Sequence, residues 1–306
     1  MRKLNRSLSI RIVPTIVLLL STGDCRFLYS QENHIQSLEE SQMPSGIKNK
    51  LTILSWNLMF LYDEINDQDQ FPENRYKRSL KDFQRLGSYF RKLSPDIALF
   101  QEIENETAIY KVVDKTKYLC KGSDNPNSTQ EVFICWKNEL GKPEIQEWKE
   151  LLINERLRPA ISAEFKIRGK ALQIINVHLK SGNHEYDYGK DFVIRKKQFT
   201  WLNKLLRRKS SFVIAGDFNQ RFDKPDDRGW KVLQRSIDMI RLTSGLQSDC
   251  WQHRAYYIDH FIFSGELSLD NFRQYKYSED DGKFDGKPES EKSLSDHCPI
   301  SAVLTL

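Results

Sequence analysis

Six short apolar runs in this chain are each followed at once by carboxylate, amide or histidine side chains. Runs of about four to eight apolar residues rich in Val, Ile and Phe are typical of strands buried inside a sheet. A rigid sheet edge holds side chains at fixed positions, so polar groups at six strand ends predict a catalytic constellation. The residues concerned are Asn57, Gln101-Glu102, Asn176–His178, Asp217–Asn219, Asp259-His260 and Asp296-His297.

The spacing of apolar residues predicts many strands and few helices. Two stretches carry apolar side chains every three or four residues and therefore predict helices: Tyr76–Leu93, with Leu80 on the apolar face, and Phe199–Leu206. The predicted strands are Leu51–Trp56, Ile97–Phe100, Glu131–Trp136, Ala160–Ile167, Ala171–His178, Phe212–Ala215, Tyr256–Phe263 and Pro299–Leu306. This order favours an α/β fold of two packed sheets flanked by helices.

Residues 1–25 have the pattern of an export signal. Four basic residues precede the apolar run Ile12–Leu20, and the small residues Ser21, Thr22 and Gly23 follow it. The run is shorter than the ~20 residues needed to span a bilayer, which disfavours the alternative of an N-terminal anchor helix. We therefore expect an exported protein, with a polar flexible linker in residues 26–50 and the folded catalytic domain in residues 51–306.

Cys25 ends a segment, Leu20–Cys25, that resembles a bacterial lipoprotein signal, in which the cysteine is lipidated after cleavage. Asp24 departs from that pattern, because a small residue usually precedes the cysteine. Two alternatives therefore stay open: a lipoprotein attached to a membrane through Cys25, or a secreted or periplasmic protein without a lipid.

The net charge argues against indiscriminate binding to polyanions. The whole chain carries +5, and residues 1–25 hold four basic residues against one acid, which leaves +2 for the rest. A nearly neutral domain needs local basic patches to bind nucleic acid. We expect it to act as a monomer.

Four cysteines follow the export signal: Cys120, Cys135, Cys250 and Cys298. An even number in an exported protein permits two disulfides, with three pairings to choose from. The turn-rich segment Gly122–Thr129 lies between Cys120 and Cys135, so we predict that a hairpin brings these two together. Buried free thiols are the alternative.

The polar residues at the strand ends suit phosphate-ester hydrolysis with a hard cation. The reaction needs the phosphate neutralised and the water aligned, and Mg²⁺ held by one or two carboxylates does much of this. Glu102 is a candidate ligand, although a surface glutamate after a strand is the alternative interpretation. Asp217 can activate water, with Asn219 beside it. Asp259 can fix the ring of a catalytic histidine.

Six motifs in this chain resemble, in content and order, those of the endonuclease/exonuclease/phosphatase superfamily. They are Ser55-Trp56-Asn57, Gln101-Glu102, Asn176-Val177-His178, Gly216-Asp217-Phe218-Asn219, Ile258-Asp259-His260 and Ser295-Asp296-His297. The resemblance covers roughly Leu51 to Leu306. It implies a four-layer α-β-β-α sandwich of two mixed sheets with the site at one end. It also implies a phosphoester substrate, with DNA among the candidates, and Mg²⁺ as cofactor, with Mn²⁺ as an alternative.

The resemblance implies a metal site of Asn57, Glu102 and Asp296, in which Asn57 would hold a metal-bound water or the phosphate. Some family members have a phosphate-contacting tyrosine between the Glu and His motifs, and this chain shows no clear equivalent. Arg158, in Leu157-Arg158-Pro159, is a candidate to bind phosphate instead; a solvated turn residue is the alternative.

The resemblance also implies the catalytic residues. His178 would contact the scissile phosphate. Asp217 would activate or orient the water, and Asn219 would support it and contact phosphate. Asp259 would pair with His297, which would act on the phosphate or as general base. Whether Asp217 or His297 takes the proton stays open.

The motifs leave the substrate open, because loops set function on a shared fold. Three loops are candidates: Lys180–Asp191, Phe222–Trp230 and Asn271–Ser293. The last contains Tyr275, Tyr277 and several lysines, which suits nucleic acid, a membrane surface or an ordinary solvated loop. We expect a nuclease-like phosphodiesterase. The alternatives are a sphingomyelinase-like phospholipid phosphodiesterase, a phosphomonoesterase and a non-catalytic surface binding protein.

Overall fold

The structure, a computed structural model, describes residues 49–63, 78–182, 188–224, 226–250, 256–277 and 294–306. The predicted export signal and nearly all of the predicted linker lie outside these residues, so both stay predictions. Within the described ranges, no helix combines the length and the hydrophobicity that a membrane crossing requires. The segment Ile47–Leu306 forms a compact unit by itself.

Two six-stranded sheets make up the centre of the described chain. The first contains β1 (Lys50–Leu61), β2 (Ile97–Ile103), β3 (Tyr118–Gly122), β4 (Glu131–Lys137), β11 (Ser268–Gln274) and β12 (Ile300–Thr305). The second contains β5 (Glu144–Trp148), β6 (Ala160–Ile167), β7 (Lys170–His178), β8 (Phe212–Asp217), β9 (Met239–Arg241) and β10 (Asp259–Ser264). The helices are α1 (Leu80–Leu93), α2 (Glu106–Tyr110), α3 (Gly189–Leu206) and α4 (Arg228–Leu233).

Both sheets follow the same plan. The first has the strand order β11-β12-β1-β2-β4-β3 and the second has β9-β10-β8-β7-β6-β5. In each sheet one parallel pair, β1 with β2 or β7 with β8, lies at the centre, and the remaining neighbours are antiparallel. The parallel strands therefore end, and the antiparallel strands β12 and β10 begin, at one edge of each sheet.

The two sheets pack face to face around the main core. Side chains from both inner faces, such as Ile53 and Ile174, are fully buried in it. Helices α1 and α2 cover the outer face of the first sheet through a second cluster around Phe90. Helices α3 and α4 cover the second sheet through a third cluster around Phe199. The predicted α-β-β-α sandwich of two mixed sheets is confirmed.

Helix α1 begins at a capping box rather than where the apolar spacing begins. The Ser79 hydroxyl accepts a hydrogen bond from the Asp82 N–H, and the Asp82 carboxylate accepts one from the Ser79 N–H at 2.8 Å. The cap fixes Leu80 as the first helical residue and leaves it 74% exposed. The prediction that Leu80 lies on the apolar face is therefore wrong. Tyr76 lies outside the described residues.

Strands β1 and β2 run past the positions where the sequence predicted their ends. The pairing of the two strands shifts register after Asn57, and β2 continues through Glu102. Met59, Phe60 and Glu102 adopt left-handed backbone, with φ of 45°, 56° and 63°. Such values are uncommon outside glycine and cluster at sites where strain serves function. Asn57 and Glu102 thus lie on bulged strand ends, not in the loops beyond them.

Four strands were missed by the sequence analysis, and all four are sheet edges: β3, β5, β9 and β11. An edge strand here buries little of its surface, and in β5 only Trp148 is buried. A strand of this kind lacks the apolar run from which a strand is predicted. Because β11 extends to Gln274, the predicted loop Asn271–Ser293 begins with strand residues.

Two disulfides join the four cysteines that follow the predicted export signal. Cys120 and Cys135 face each other across β3 and β4 and are bonded, so the predicted pairing is confirmed. Cys250 is bonded to Cys298, the residue directly after His297. The alternative of buried free thiols is wrong.

Gly216 sets the spacing of β7 and β8 at the end where the polar motifs lie. It has φ 140° and pairs with Val177, and a Cβ on it would overlap the Val177 carbonyl oxygen. We predict that Gly216→Ala lowers the free energy of unfolding by about 3 kcal/mol or more, from overpacking together with an unfavourable φ. Urea denaturation measures this loss.

Gly169→Ala is the matched control, because Gly169 also has a positive φ of 74° but its Cβ would meet open space. This variant should lose only about 1 kcal/mol, the cost of the left-handed backbone alone. Equal losses in the two variants would show that the close approach of β8 to β7 is unimportant.

Candidate active site

The polar residues from both sheets meet at the edge where the central parallel strands end. His178 at the end of β7 pairs in register with Asp217 at the end of β8, and Asp217 pairs with Asp259 at the start of β10. Asn57 of the first sheet reaches across, with its Nδ2 3.2 Å from Asp217 Oδ2. The structure thereby brings the sequence-predicted residues into one buried group.

Asn57 is fully buried and its amide has a defined orientation. Its Oδ1 accepts a hydrogen bond from the Met59 N–H at 2.9 Å, so its Nδ2 faces the carboxylates. That nitrogen donates to Asp217 and to Glu102 Oε1, each at 3.2 Å. In this orientation Asn57 offers a donor to a phosphate or a metal-bound water, not an oxygen to the metal itself.

His297 forms a close pair with Asp259, its Nδ1 lying 2.7 Å from Asp259 Oδ2. The opposite ring nitrogen, Nε2, lies 3.7 Å from Asp217 Oδ2 and 3.9 Å from Asp296 Oδ1. Burial alone would lower the pKa of His297, but the carboxylates of Asp259, Asp296 and Asp217 together raise it well above its usual value. His297 is therefore protonated near neutral pH.

His178 differs from His297 in its charge state. Its Nε2 lies 3.5 Å from Asp217 Oδ2 and 3.7 Å from Glu102 Oε1, and its side chain is almost completely buried. Burial, followed by the positive charges of Arg158 and His297, lowers the pKa of His178 well below its usual value. His178 is thus neutral, with one ring N–H to donate.

Asp217 lies between the two histidines and is fully buried. Its Oδ1 accepts the Asn219 N–H at 2.8 Å, a contact that the left-handed backbone of Asn219, with φ 51°, makes possible. Burial raises the pKa of Asp217 to about 7, and the positive charge of His297 opposes that rise. A carboxyl group with a pKa near neutrality can both accept and release a proton during turnover.

Glu102 and Asp296 suit a hard divalent cation. Burial raises the pKa of Glu102, and the negative charge of Asp296 raises it further, so the two carboxylates repel each other in the absence of a cation. Oxygen ligands from one or two carboxylates are what Mg²⁺ requires, because it keeps several waters. The donor set therefore fits the predicted metal.

A second group could also hold a metal by its spacing. This group consists of Asp217, Asp259 and His297. Each offers one ligand atom, and the three atoms lie within 4.8 Å of one another. However, Nδ1 of His297 already bonds Asp259, and the surrounding carboxylates raise the pKa of His297, which disfavours the neutral imidazole that a metal requires. Glu102 and Asp296 therefore remain the expected ligands of the cation, and the Asp217, Asp259 and His297 group suits proton chemistry.

Arg158 is buried, with 7% of its surface exposed, so the alternative of a solvated turn residue is wrong. One guanidinium nitrogen donates to the Leu179 carbonyl at 3.3 Å, and Nε has no partner among the described residues. Burial lowers the pKa of Arg158, while Glu102 and Asp217 act to raise it. This cation beside the two carboxylates can contact a phosphate, as the sequence analysis proposed.

Two residues that support the site were missed or misassigned from the sequence. Gln130 Nε2 donates to Glu102 Oε2 at 2.9 Å, and nothing in the sequence before β4 marks it. Tyr277, predicted to lie in a substrate loop, is buried and donates to the His297 carbonyl at 2.7 Å. Its hydroxyl also accepts the Trp56 Nε1–H, so Tyr277 holds the His297 segment against β1.

Parts of two predicted substrate loops, residues 183–187 and 278–293, lie outside the described residues, as does Pro225 of the third. The described part of the third loop is less open than predicted. Phe222 is buried against His260, and α4 begins at Arg228. Among the described residues of that loop, the exposed side chains that can contact a substrate are those of Asp223, Lys224, Asp226 and Arg228.

The sequence profile described as the Endonuclease/Exonuclease/phosphatase family matches residues 54–297 of the chain. The chain therefore belongs to this family and is a divalent-metal-dependent phosphoester hydrolase. No curated protein sequence matches the chain significantly.

Solved structures share the fold at low sequence identity. A humanized TDP2 from D. rerio has 19% identity and a TM-score of 0.60, over 85% of this chain and 100% of that one. An endonuclease/exonuclease/phosphatase from Bacteroides vulgatus has 14% identity and a TM-score of 0.59, with coverages of 85% and 100%. The human Nocturnin catalytic domain has 14% identity and a TM-score of 0.59, with coverages of 83% and 93%.

Asp259→Asn tests the charge state of His297. The amide keeps the shape of the carboxylate but removes its negative charge, so the pKa of His297 should fall. Turnover should fall about 10- to 100-fold, the scale of losing a carboxylate that orients a histidine. NMR titration of the imidazole measures the first effect. An unchanged pKa of His297 would show that Asp259 does not control it. The control is Asp270→Asn on β11, which should leave the pKa of His297 unchanged.

Glu131, buried beside Arg158, should make stability depend on pH. Burial raises the pKa of Glu131 to about 7, above its usual 4.5, despite hydrogen bonds from Ser123 and Asn125. The folded state therefore holds the proton more tightly than the unfolded chain, and stability falls as pH rises through that interval. At pH 8 the loss is about 2–3 kcal/mol.

Glu131→Gln cannot lose a proton and should not show this loss. Urea denaturation of both proteins at pH 5 and pH 8 measures the difference. A native protein and a variant with parallel pH profiles would contradict the prediction.

Proposed function

We propose that this chain is an exported, Mg²⁺-dependent phosphodiesterase that cleaves nucleic acid. The observation that carries the proposal is the position of Asp217, a buried carboxylate with a pKa about 7 between a neutral and a protonated histidine. Hydrolysis of a phosphodiester needs one group that accepts a proton and another that donates one, both beside a cation site.

The protonation states of His297 and Asp217 indicate which of the two residues is the base. His297 already carries its proton, so it cannot take one from water, whereas Asp217 can. We therefore assign Asp217 as the group that accepts the proton of the attacking water, with the Asn219 N–H and Asn57 fixing its two oxygens. Asp217 is thus our proposed answer to the question, left open by the motifs, of which group takes the proton.

The remaining residues manage the charge of the phosphate. His297, oriented by Asp259, places its Nε2–H where it can stabilise a phosphoryl oxygen or protonate the leaving oxygen. His178 donates its single N–H, and Arg158 adds a positive charge. Glu102 and Asp296 would hold the cation, which when bound neutralises phosphate charge and lowers the pKa of coordinated water.

Nucleic acid is favoured as substrate by the fold neighbours and by the shape of the site. TDP2 from D. rerio has been solved with a single-stranded DNA product, at 17% identity and a TM-score of 0.60. In the present chain the site lies where the central parallel strands end, and the residues described around it form no long apolar hairpin suited to lipid. The export signal, with or without a lipid on Cys25, places the activity outside the cytoplasm in this proposal.

Nicking of supercoiled plasmid by the unit Ile47–Leu306, with Mg²⁺ and with chelator, tests the proposal. Nicking that requires Mg²⁺ is expected. Asp217→Asn and His297→Ala should each lower the rate at least about 10³-fold, as removal of an acid–base group does at comparable sites. Asp270→Asn, an exposed carboxylate on β11, should keep the full rate.

Two results would contradict the proposal. Folded protein that binds Mg²⁺ but does not nick DNA or RNA, while releasing phosphocholine from sphingomyelin vesicles, would assign a phospholipid substrate. Near-native nicking by Asp217→Asn would show that the proton acceptor is a different group.

A further inference from the structure

Helix α3 presents a regular row of side chains to solvent. Six positions spaced three or four residues apart lie on one face of a helix. In α3 and the residue pair after it, every one of these positions is exposed, and four of the six are cationic and two are apolar. The row consists of Lys190, Val193, Lys197, Trp201, Lys204 and Arg208.

The row lies in a cluster of exposed cationic side chains. Exposed Lys196 and Arg207 flank it, and none of the cations on this face has an ion-pair partner among the described residues. The one carboxylate of α3, Asp191, is only partly exposed and pairs with Lys180 at 3.3 Å. Because the whole chain has a net charge of only +5, this face concentrates positive charge on one side of the molecule.

Two apolar side chains stand among these cations. Val193 is 52% exposed and Trp201 is 37% exposed. The Lys204 ammonium lies 4.3 Å from the centre of the Trp201 ring, so the aromatic ring and the charge occupy the same spot on the surface. Tryptophan beside lysine is the combination found where proteins meet the headgroup region of a bilayer.

The helix that carries this row is firmly held. Its opposite face buries Phe199, Leu202 and Leu206 in the core against the second sheet. Arg195, also buried, donates to Gln220 at 3.1 Å and to the Lys180 carbonyl at 3.0 Å. The outer face is therefore a rigid strip about 27 Å long, since each helical residue adds about 1.5 Å.

The two ends of the strip lie at opposite ends of the fold. The first half of α3 contacts the active-site end, where Arg195 donates to the carbonyl of Lys180, two residues after His178, at 3.0 Å. Beyond the last turn, Ser210 and Ser211 line the same cavity as Leu306. The Leu306 N–H donates to the Asn49 carbonyl at 3.0 Å, so the chain enters the fold at this far end.

We infer that the outer face of α3 docks on an anionic phospholipid bilayer. The cations match the negative headgroups, each gaining attraction near such a surface, while Trp201 and Val193 enter the interface. Nucleic acid could bind the cations of this face, but it offers no apolar region into which Val193 could insert.

Co-sedimentation with vesicles tests this docking, with the unit Ile47–Leu306 so that no lipid or export signal contributes. Vesicles rich in phosphatidylglycerol should retain the protein, and pure phosphatidylcholine vesicles should not. Lys197→Glu together with Lys204→Glu should weaken retention at least about ten-fold, because two attractive charges become repulsive. Trp201→Ala should weaken it several-fold even in raised salt, where only the apolar contribution survives.

The matched control is Lys115→Glu together with Lys117→Glu, the same change of charge at exposed lysines in the turn before β3. This variant should keep its vesicle binding, and all variants should keep their turnover of a small soluble phosphodiester. Equal retention of the α3 variant and the native protein on anionic vesicles would overturn the inference. So would an α3 variant that loses binding to a DNA duplex while keeping its binding to vesicles.

Discussion

The hydrogen bond from Asn57 to Asp217 joins the two sheets at the point where the chemistry is assembled. Asn57 belongs to the first sheet and Asp217 to the second, and both are fully buried. One layer deeper, Gln101 Nε2 donates to Asn176 Oδ1 at 2.7 Å and repeats the connection. These amides satisfy polar groups that would otherwise be costly in a buried interface, and they set the distance between the carboxylates of the two sheets.

The charged groups around each active-site histidine differ, and they give the two histidines different charge states. Two histidines a few ångströms from the same carboxylate differ in charge, because Asp259 contacts only His297 and Arg158 acts on His178. Burial makes each of these differences larger, since no solvent screens them. The site thus sets a neutral and a protonated histidine beside one carboxylate, although His178 and His297 are the same residue type.

The interior of the fold and the centre of the site could be predicted from the sequence, and the periphery could not. The central strands are covered on both faces, so their apolar runs are unambiguous, and the polar residues that end them, such as Glu102 and Asp217, are conspicuous. The edge strands β5 and β11 have no such run. Gln130 and Tyr277 carry no local signal either, because their roles arise only when distant segments fold together.

The common plan of the two sheets has a consequence for the molecule as a whole. Each half brings its own parallel pair and its own antiparallel neighbour to the edge, yet neither half holds the proton acceptor together with all of the groups that fix it. Asp217 and Asp259 come from one sheet, whereas Asn57, Glu102 and His297 come with the other. Activity thus depends on the contact between the two sheets at this edge. Any change that separates the sheets there should abolish turnover while leaving every catalytic residue intact.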